Sequence, residues 1–480
     1  MKDSRSVRSS RPLLISSALA AIMSVGSLSI GASTAHASGR VLTLDEAFTL
    51  ARRQNHDLKA ARARIDQAEA GVISATAALL PKASVQLKYT RNYKEAKLDL
   101  SSQLLPITTL AGILAATTDN PAQAGALQQY QAQLNATSIQ SIVIQKANQV
   151  DFQLGAQIPL IVPSAYPALQ ASKRNVEAQQ LGFGATEQAL LAGVAQAFYA
   201  AAGVDELVEA RHNAVKVAEQ TLKNAKARFE AGTVNRVEVT RAELAVVRAE
   251  QTLNETRDLQ KNAYQALGTL LELEGGFRVD PKDASLQLGA GAVEELVGEA
   301  QRNRQELRML DASIGAGKLQ AQSALLSWVP SVSAFGALRA FNYRGFVGDP
   351  YQWLVGVQLD WQFDGGYSYA QRRLAQAQVR EGEERRKQLD RSISDEVRTA
   401  VRALPTKRRA VEAAQRAVAL SQETLNLVRV QHDAGTATQL DLLQAQDMLV
   451  LAEVGLAQAR FDVASAQVQV VRTLGKLGGK

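Results

Sequence analysis

The sequence predicts a mixed α and β protein built by internal duplication, and three observations support this fold class. The first is a pair of similar segments that begin at Phe229 and His432 and share Ala-Gly-Thr. The second is a set of four segments in which apolar and polar residues alternate. The third is a pair of Ala-, Gln- and Glu-rich spans of nearly 70 residues each. Helices of that length, about 100 Å, are too long for a globular core.

The duplication runs through most of the chain. Gly232 and Gly435 occupy matching places with a shift of 203 residues, and Pro81 matches Pro330 with a shift of 249 residues. Between these blocks the shift is 201 residues, so the first copy contains about 48 extra residues. Because repeats determine the architecture, the domain boundaries follow from this alignment. The predicted units are a first repeat at 38–275 with a long loop at 94–148, a linker at 276–291, a second repeat at 292–475 and a tail at 476–480.

The N-terminus has the features of a secretory signal. Four basic residues precede an apolar stretch interrupted by serines, and Ala35-His36-Ala37 follows it. We predict a signal peptide at 1–37 that is cleaved after Ala37; a retained membrane anchor is the alternative. The chain contains no cysteine, which excludes disulfides, Cys-ligated metals and a lipid-modified N-terminal Cys.

Charge and hydropathy narrow the class further. Residues 1–37 carry a net charge of +3 out of the total of +7, so the remainder carries +4, which argues against nucleic acid as a partner. After residue 37 no apolar run reaches the length of a membrane-spanning helix. The mature chain is therefore either soluble or crosses a membrane as a β-barrel.

The four alternating segments are predicted β-strands. The clearest, at 352–363, places Trp353 and Trp361 on one face, and only Leu354 breaks the alternation. Its partner in the first copy lies near 150–158, and the earlier strand of the first copy lies near 85–90. The weakest is 332–343, because Phe335 and Phe341 share a face with a charged residue. A soluble sheet with one wet face is the alternative; four strands alone cannot close a barrel, so the membrane interpretation requires an oligomer. The aromatic residues expected at the membrane interfaces are Tyr89, Tyr93, Trp353 and Trp361.

The two long spans are predicted to form helical hairpins. Their apolar positions follow a heptad seam in which alanine alternates with a larger residue, which allows close packing of the two helices. Pro405 in the second copy and the matched Ala202-Gly203 in the first predict a kink or a junction near the middle of each long helix.

Taken together, these segments resemble the TolC-type outer-membrane efflux protein family, the outer-membrane factors of tripartite efflux and type I secretion systems. The resemblance covers nearly the whole mature chain and is carried by residues 44–51, 356–366 and 473–475. It implies a homotrimer whose three sets of four strands form one twelve-stranded outer-membrane barrel, continuous with a periplasmic α-helical coiled-coil barrel. Such a protein is an exit duct, opened by a periplasmic adaptor (membrane fusion) protein and an inner-membrane RND, MFS or ABC transporter.

The resemblance also implies site residues at the hairpin tips. The small-residue turns match the adaptor-docking tips of the family: Ala231, Gly232, Thr233, Ala434, Gly435 and Thr436. The implied periplasmic constriction comprises Glu238, Asp441, Gln444, Arg236 and His432. On a threefold axis Glu238 and Asp441 would each form an acidic ring that favours cations, although a lone acidic residue on a helix is more often a solvated surface group. Three residues depart from the family pattern, namely Gln444, Ala437 and His432; Arg236 is a candidate for the missing cation.

Other features leave alternatives open. By the topology of the family, the loop 94–148 lies outside the cell. Residues 121–135 have helical composition, which is compatible with three roles: a plug, a lid or a phage-receptor surface. The histidines are isolated and no catalytic motif is present, which predicts no enzyme activity, no metal and no cofactor. The alternative function is a secreted or periplasmic coiled-coil spacer or adhesin without channel activity. The transported substrate cannot be predicted from the sequence.

Overall fold

The computed structural model of the protein describes residues 40–98, 101–136, 142–281, 291–343 and 349–477. The predicted signal peptide at 1–37 lies outside the described residues. Most of the predicted linker and part of the predicted tail also lie outside them.

Both copies contain two helices, two long strands, a very long helix and a returning helix in this order, and the first copy contains further elements. The first contains β1 (Arg40–Leu42), α1 (Leu44–Gln54), α2 (His56–Ala77), β2 (Lys82–Arg91), β3 (Ala96–Leu98), α3 (Ser101–Thr117), α4 (Pro121–Ala136), β4 (Ile142–Gln145), β5 (Asn148–Ile161), α5 (Ala165–Glu230), α6 (Arg236–Leu271) and β6 (Phe277–Val279). The second contains α7 (Val293–Asn303), α8 (Gln305–Leu326), β7 (Ser331–Phe341), β8 (Tyr351–Asp360), α9 (Tyr367–Asp433) and α10 (Gln439–Thr473). The predicted strand at 332–343 therefore ends two residues earlier, and the strand predicted at 352–363 ends at Asp360.

The two copies begin with the same helix-capping chemistry. Glu46 accepts a hydrogen bond from the backbone N–H of Thr43, and the Thr43 hydroxyl accepts one from the Glu46 N–H, both at 3.3 Å. In the second copy Glu295 accepts from the backbone N–H of Ala292 at 3.2 Å. A carboxylate at the third helical position satisfies a backbone donor that the helix leaves open.

Four strands form one antiparallel sheet in the order β2, β5, β7, β8. Its register aligns large apolar residues in a row across all four strands: Val85, Leu154, Leu338 and Trp353. Val85 and Trp353 are 68% and 76% exposed in the single chain. A sheet face of this kind is apolar although it is open, and β2 and β8 are its edge strands.

The strand with the weakest alternation is held by a packing contact that the pattern does not reveal. Phe335 of β7 pairs with Gly356 of β8, and its ring lies over that glycine. A Cβ atom at Gly356 would come within 2.9 Å of the ring. The large residue on the mostly polar face of β7 therefore fills the space above the glycine of its neighbour.

The long helices form two hairpins that lie side by side. α5 has 66 residues and α9 has 67, so each is about 100 Å long. α5 packs along α6, α9 packs along α10, and α5 also packs along α10, which gives the order α6, α5, α10, α9. No helix within the described ranges is both long and apolar enough to cross a membrane.

The main cores surround the middle of the long helices. One contains Leu191, Val194 and Phe198 of α5, together with residues of α1, β1 and β6; the other contains Ile393 and Val397 of α9 with residues of α7. Both helices continue through the position where a kink or a junction was expected, and Pro405 lies inside α9. At the matched position Gly203 allows a close approach of Phe461, because a Cβ there would lie 3.4 Å from that side chain.

Candidate functional site: the hairpin tips

The tip of the first hairpin is a tight turn built on a glycine. α5 ends at Glu230, and Gly232 has a φ of +74°. The backbone N–H and the hydroxyl of Thr233 both donate to the carbonyl oxygen of Arg228, each at 2.9 Å. A positive φ strains residues that carry a Cβ, so glycine is required at this place.

The tip of the second hairpin repeats this geometry. Gly435 has a φ of +77°, and the N–H and the hydroxyl of Thr436 donate to the carbonyl oxygen of Gln431 at 2.8 and 3.0 Å. The three small residues of each turn, 231–233 and 434–436, are exposed. The protein therefore presents two near-identical small-residue surfaces at the end of its rods.

The helices that return from the tips are capped differently. In the second hairpin Asp441 accepts hydrogen bonds from the hydroxyl and the backbone N–H of Thr438, at 2.7 and 2.8 Å. These bonds hold the pKa of the Asp441 carboxyl below its ordinary value. In the first hairpin the side chain of Asn235 accepts from the Glu238 N–H at 3.3 Å. Asp441 is thus a negatively charged residue with a structural role in the helix start.

One arginine joins the two tips. Arg228 of α5 places its Nη1 atom 3.2 Å from Nε2 and 3.3 Å from Nδ1 of His432, at the end of α9. Its Nη2 atom donates to Oδ1 of Asp433 at 3.1 Å. The His432 side chain is buried, whereas that of Asp433 is 66% exposed. The guanidinium therefore connects the first hairpin to the second through an imidazole and a carboxylate.

The structure places the predicted constriction residues at different points near the tips. His432 contacts Arg228, a residue that sequence reasoning missed, and Arg236 is the exposed first residue of α6. Gln444 lies in a groove between α5, α6 and α10. The signal for Arg228 was its position four residues before Gly232, one turn from the tip, but the sequence gives no sign that its side chain reaches the other hairpin.

Above the tips the hairpins are joined by further contacts. Gln446 of α10 donates to the hydroxyl of Thr221 of α5 at 2.9 Å, and both residues are buried. Leu425, Leu442 and Ala445 form a small apolar cluster within the second hairpin, between α9 and α10. The bond between Gln446 and Thr221 therefore joins the two hairpins further up the rods than the Arg228 contacts do.

The predicted interface aromatics lie on or beside the sheet. Trp353 of β8 is 76% exposed and Tyr93, just after β2, is 94% exposed. The Tyr89 hydroxyl donates to Asn148 at 3.1 Å, and the indole N–H of Trp361 donates to the carbonyl oxygen of Trp328 at 3.2 Å. Trp328 is a further exposed aromatic at this end of the sheet that the strand pattern did not predict.

Metal binding requires a group of side chains that can act as ligands. No group of three or more His, Cys, Asp or Glu side chains in the described part of the chain could hold a metal ion. The arrangement at the tips can hold two hairpins together, expose small residues to a partner and place charges near the end of the rods.

Comparison with known proteins gives consistent matches over most of the chain. Residues 48–272 and 296–476 match the family described as outer membrane efflux protein, one segment in each copy. Nodulation protein T of Rhizobium leguminosarum bv. trifolii is 25% identical over 85% of this chain and 79% of its own length. The pyoverdine export outer membrane protein OpmQ of Pseudomonas aeruginosa is 26% identical over 90% of this chain and 85% of its own. The crystal structure of the CmeC outer membrane channel of Campylobacter jejuni has the same fold, with a TM-score of 0.69 and 17% identity over 90% of this chain and 85% of that one.

Proposed function

The chain belongs to the outer membrane efflux protein family and is an outer-membrane efflux channel, and on that premise we propose that three copies assemble into the exit duct of a tripartite system. The family match covers both repeats, and the predicted alternative of a spacer without channel activity does not agree with it. The expectation that the chain is not an enzyme is confirmed by the same match.

The four-stranded sheet supports assembly as a homotrimer. Its edge strands β2 and β8 are open in the single chain, and its apolar row is exposed. Three such sheets joined edge to edge close a twelve-stranded barrel, and closure removes the unpaired edges. The apolar row then faces the lipid, with Trp353 and Tyr93 among the interface aromatics. The predicted signal peptide at 1–37 agrees with the proposed export to this membrane, and the absence of cysteine agrees with the expectation that the chain is not lipidated.

The matched tips are the proposed docking sites for a periplasmic adaptor protein. The observation that carries this proposal is the identical turn geometry of two exposed small-residue surfaces, each at the end of a rod of about 100 Å. Small residues let a partner approach the backbone closely, and the fixed turns cost little ordering on binding.

The contact of Arg228 with His432 and Asp433 is the proposed latch of the closed tip. It joins the outgoing helices of both hairpins in one chain, so an adaptor that separates the hairpins must break it. Glu238, Asp441 and Gln444 remain candidates for the constriction, where three copies of each acidic residue favour cations.

The inner-membrane partner is proposed to be an RND, MFS or ABC transporter. The OpmQ relative is named for pyoverdine export, which supports a role in export from the cell. Choice of substrate is proposed to belong to the transporter. A type I secretion system is the second candidate, and the identity of the adaptor decides between the two.

A cysteine at the tip tests this proposal, because the natural chain has none. Thr436→Cys, cross-linked in living cells with a short bifunctional maleimide, is expected to trap an adaptor that mass spectrometry identifies. The matched control is Ala419→Cys, which is exposed on α9 about 25 Å further up the rod. Capture at both positions, or of no periplasmic protein at Thr436, would remove the tip from the docking role.

A further inference from the structure

An apolar helical hairpin extends from the loop of the first copy, which contains about 48 more residues than its counterpart. α3 and α4 form this insert hairpin, which is carried on the short strand pair β3 and β4. α4 covers the segment whose composition predicted a helix, whereas α3 was not predicted. The second copy has no equivalent, so a trimer contains three insert hairpins and not six.

The base of the insert hairpin is attached firmly to the sheet. The side-chain amide of Asn92 donates to the carbonyl oxygen of Lys146 at 2.8 Å. The backbone N–H of Asn92 donates to the carbonyl oxygen of Ala147 at 2.7 Å. The Lys146 ammonium donates to the carbonyl oxygen of Asn342, beyond the end of β7, at 2.8 Å. The insert hairpin therefore extends from one end of the β2–β5 strand pair, next to the end of β7.

α3 packs on α4 through small residues and leaves its large ones outside. Ala111 and Ala115 are buried in this contact. A Cβ at Gly112 would lie 2.8 Å from the Gln131 amide, so the helices approach closely there. Four large apolar side chains form a stripe on another side of α3 and are 48–64% exposed: Ile107, Leu110, Ile113 and Leu114. Exposed apolar stripes of this size mark contact surfaces.

The near absence of charge on the insert hairpin indicates what kind of partner it contacts. Residues 98–145 contain two charged residues, Asp99 and Asp119, and no Lys, Arg or His. Helices that lie on anionic lipid surfaces carry Lys and Arg on the polar face. A surface almost free of charge meets copies of itself without like-charge repulsion, and charged residues are depleted at the centres of protein interfaces. These features favour self-association over contact with lipid.

The dimensions allow three copies to meet. Twelve strands about 4.8 Å apart and tilted by about 40° form a barrel with a radius of roughly 12 Å. α3 has 17 residues and is therefore about 26 Å long, enough to reach from the rim of such a barrel to its axis.

We propose that the three insert hairpins of a trimer pack on one another through the Ile107, Leu110, Ile113 and Leu114 stripes and cover the outer mouth of the duct. The inference rests on the proposed trimer, and it names a second copy of the chain as the occupant of the stripe. Threefold packing buries an apolar surface that a single chain leaves in water, which stabilises the covered state.

Disulfide trapping in the full-length protein tests the proposal. Leu110→Cys lies in the stripe, and Ala116→Cys is exposed on a different side of the same helix. Outer membranes that contain either variant are oxidised with copper phenanthroline, and the chains are separated without reductant. Leu110→Cys is expected to give linked dimers from up to about two-thirds of the chains, because three thiols around one axis form a single disulfide. Ala116→Cys is expected to give at least tenfold less dimer.

The oligomeric state of the same samples separates this inference from the proposed function. Trimers without a Leu110→Cys disulfide overturn the packing of the stripes and leave the duct intact; protection of that thiol from a water-soluble maleimide would then place the stripe in lipid. Equal disulfide yields from both variants also overturn it, since random contact has no preferred face. A chain that forms no trimer overturns the proposed duct and the cover together.

Discussion

Replacing Arg228 by Met tests the proposed latch with the smallest change in volume. Methionine keeps the apolar part of the side chain but removes the guanidinium that lies 3.2 Å from His432 and 3.1 Å from Asp433. The contact with the largely exposed Asp433 contributes about 0–1 kcal/mol, because water screens it. The contact with the buried His432 contributes about 0.5–1.5 kcal/mol.

The loss is therefore about 0.5–2.5 kcal/mol in each chain. If the three chains of a trimer open together, the closed state loses about 1.5–7.5 kcal/mol, which raises the ratio of open to closed tips by about 10–10⁵. Single-channel recording in planar bilayers measures this ratio directly. Arg228→Met is expected to increase the mean conductance strongly.

Arg236→Met is the matched control, because Arg236 is exposed at the start of α6 and belongs to the same group of tip residues. It is expected to leave the closed state unchanged. Arg228 is not the latch if Arg228→Met conducts like the natural protein, or if Arg236→Met opens the channel to the same extent as Arg228→Met.

Three further predictions concern the tip and the core of the rods. His432→Leu should raise the open fraction in single-channel recordings, because a leucine side chain accepts no hydrogen bond from the Arg228 guanidinium; an unchanged open fraction would contradict the role of His432. Gly435→Val should reduce drug or dye efflux several-fold without preventing trimer insertion, because Gly435 has a φ of +77° that valine does not adopt without strain. The control Gly455→Ala, in open space on α10, should have no effect on this efflux. Normal efflux by Gly435→Val would contradict the docking role of the tip. Asp441→Asn should lower cation selectivity in reversal-potential measurements, because the hydrogen bonds from Thr438 depress the pKa of Asp441 and keep its carboxyl charged; equal selectivity would place Asp441 away from the narrowest ring. A depressed pKa stabilises the folded state above the unfolded pKa. The thermal stability of the natural protein should therefore fall towards that of the variant as the pH drops through the acidic range.

The sequence predicted those features that repeat or alternate. The tips were found because Gly232 and Gly435 stand in matching segments, and a turn with positive φ needs glycine in both. The strand at Tyr351–Asp360 was found because its side chains alternate almost without interruption. Residues that obey a local rule can be recognised without knowledge of their neighbours in space.

Features that depend on contacts between distant segments were missed. Arg228 follows the helical pattern of α5, and its contact with His432 joins residues 204 positions apart. Phe335 broke the alternation of its strand because it packs over Gly356 of the next strand. The helix α3 escaped notice because it contains Pro106 and has small apolar residues on the sides that its large ones leave free, so the amphipathic period is weak.

The central claim is that the mature chain is a trimeric channel of the outer membrane. Its most direct test is the molecular mass of the species that detergent extracts from the outer-membrane fraction, compared before and after heating. The expected species is a trimer that resists salt washing and dissociates into single chains on heating. A monomer that mild salt washing releases from the membrane would contradict it.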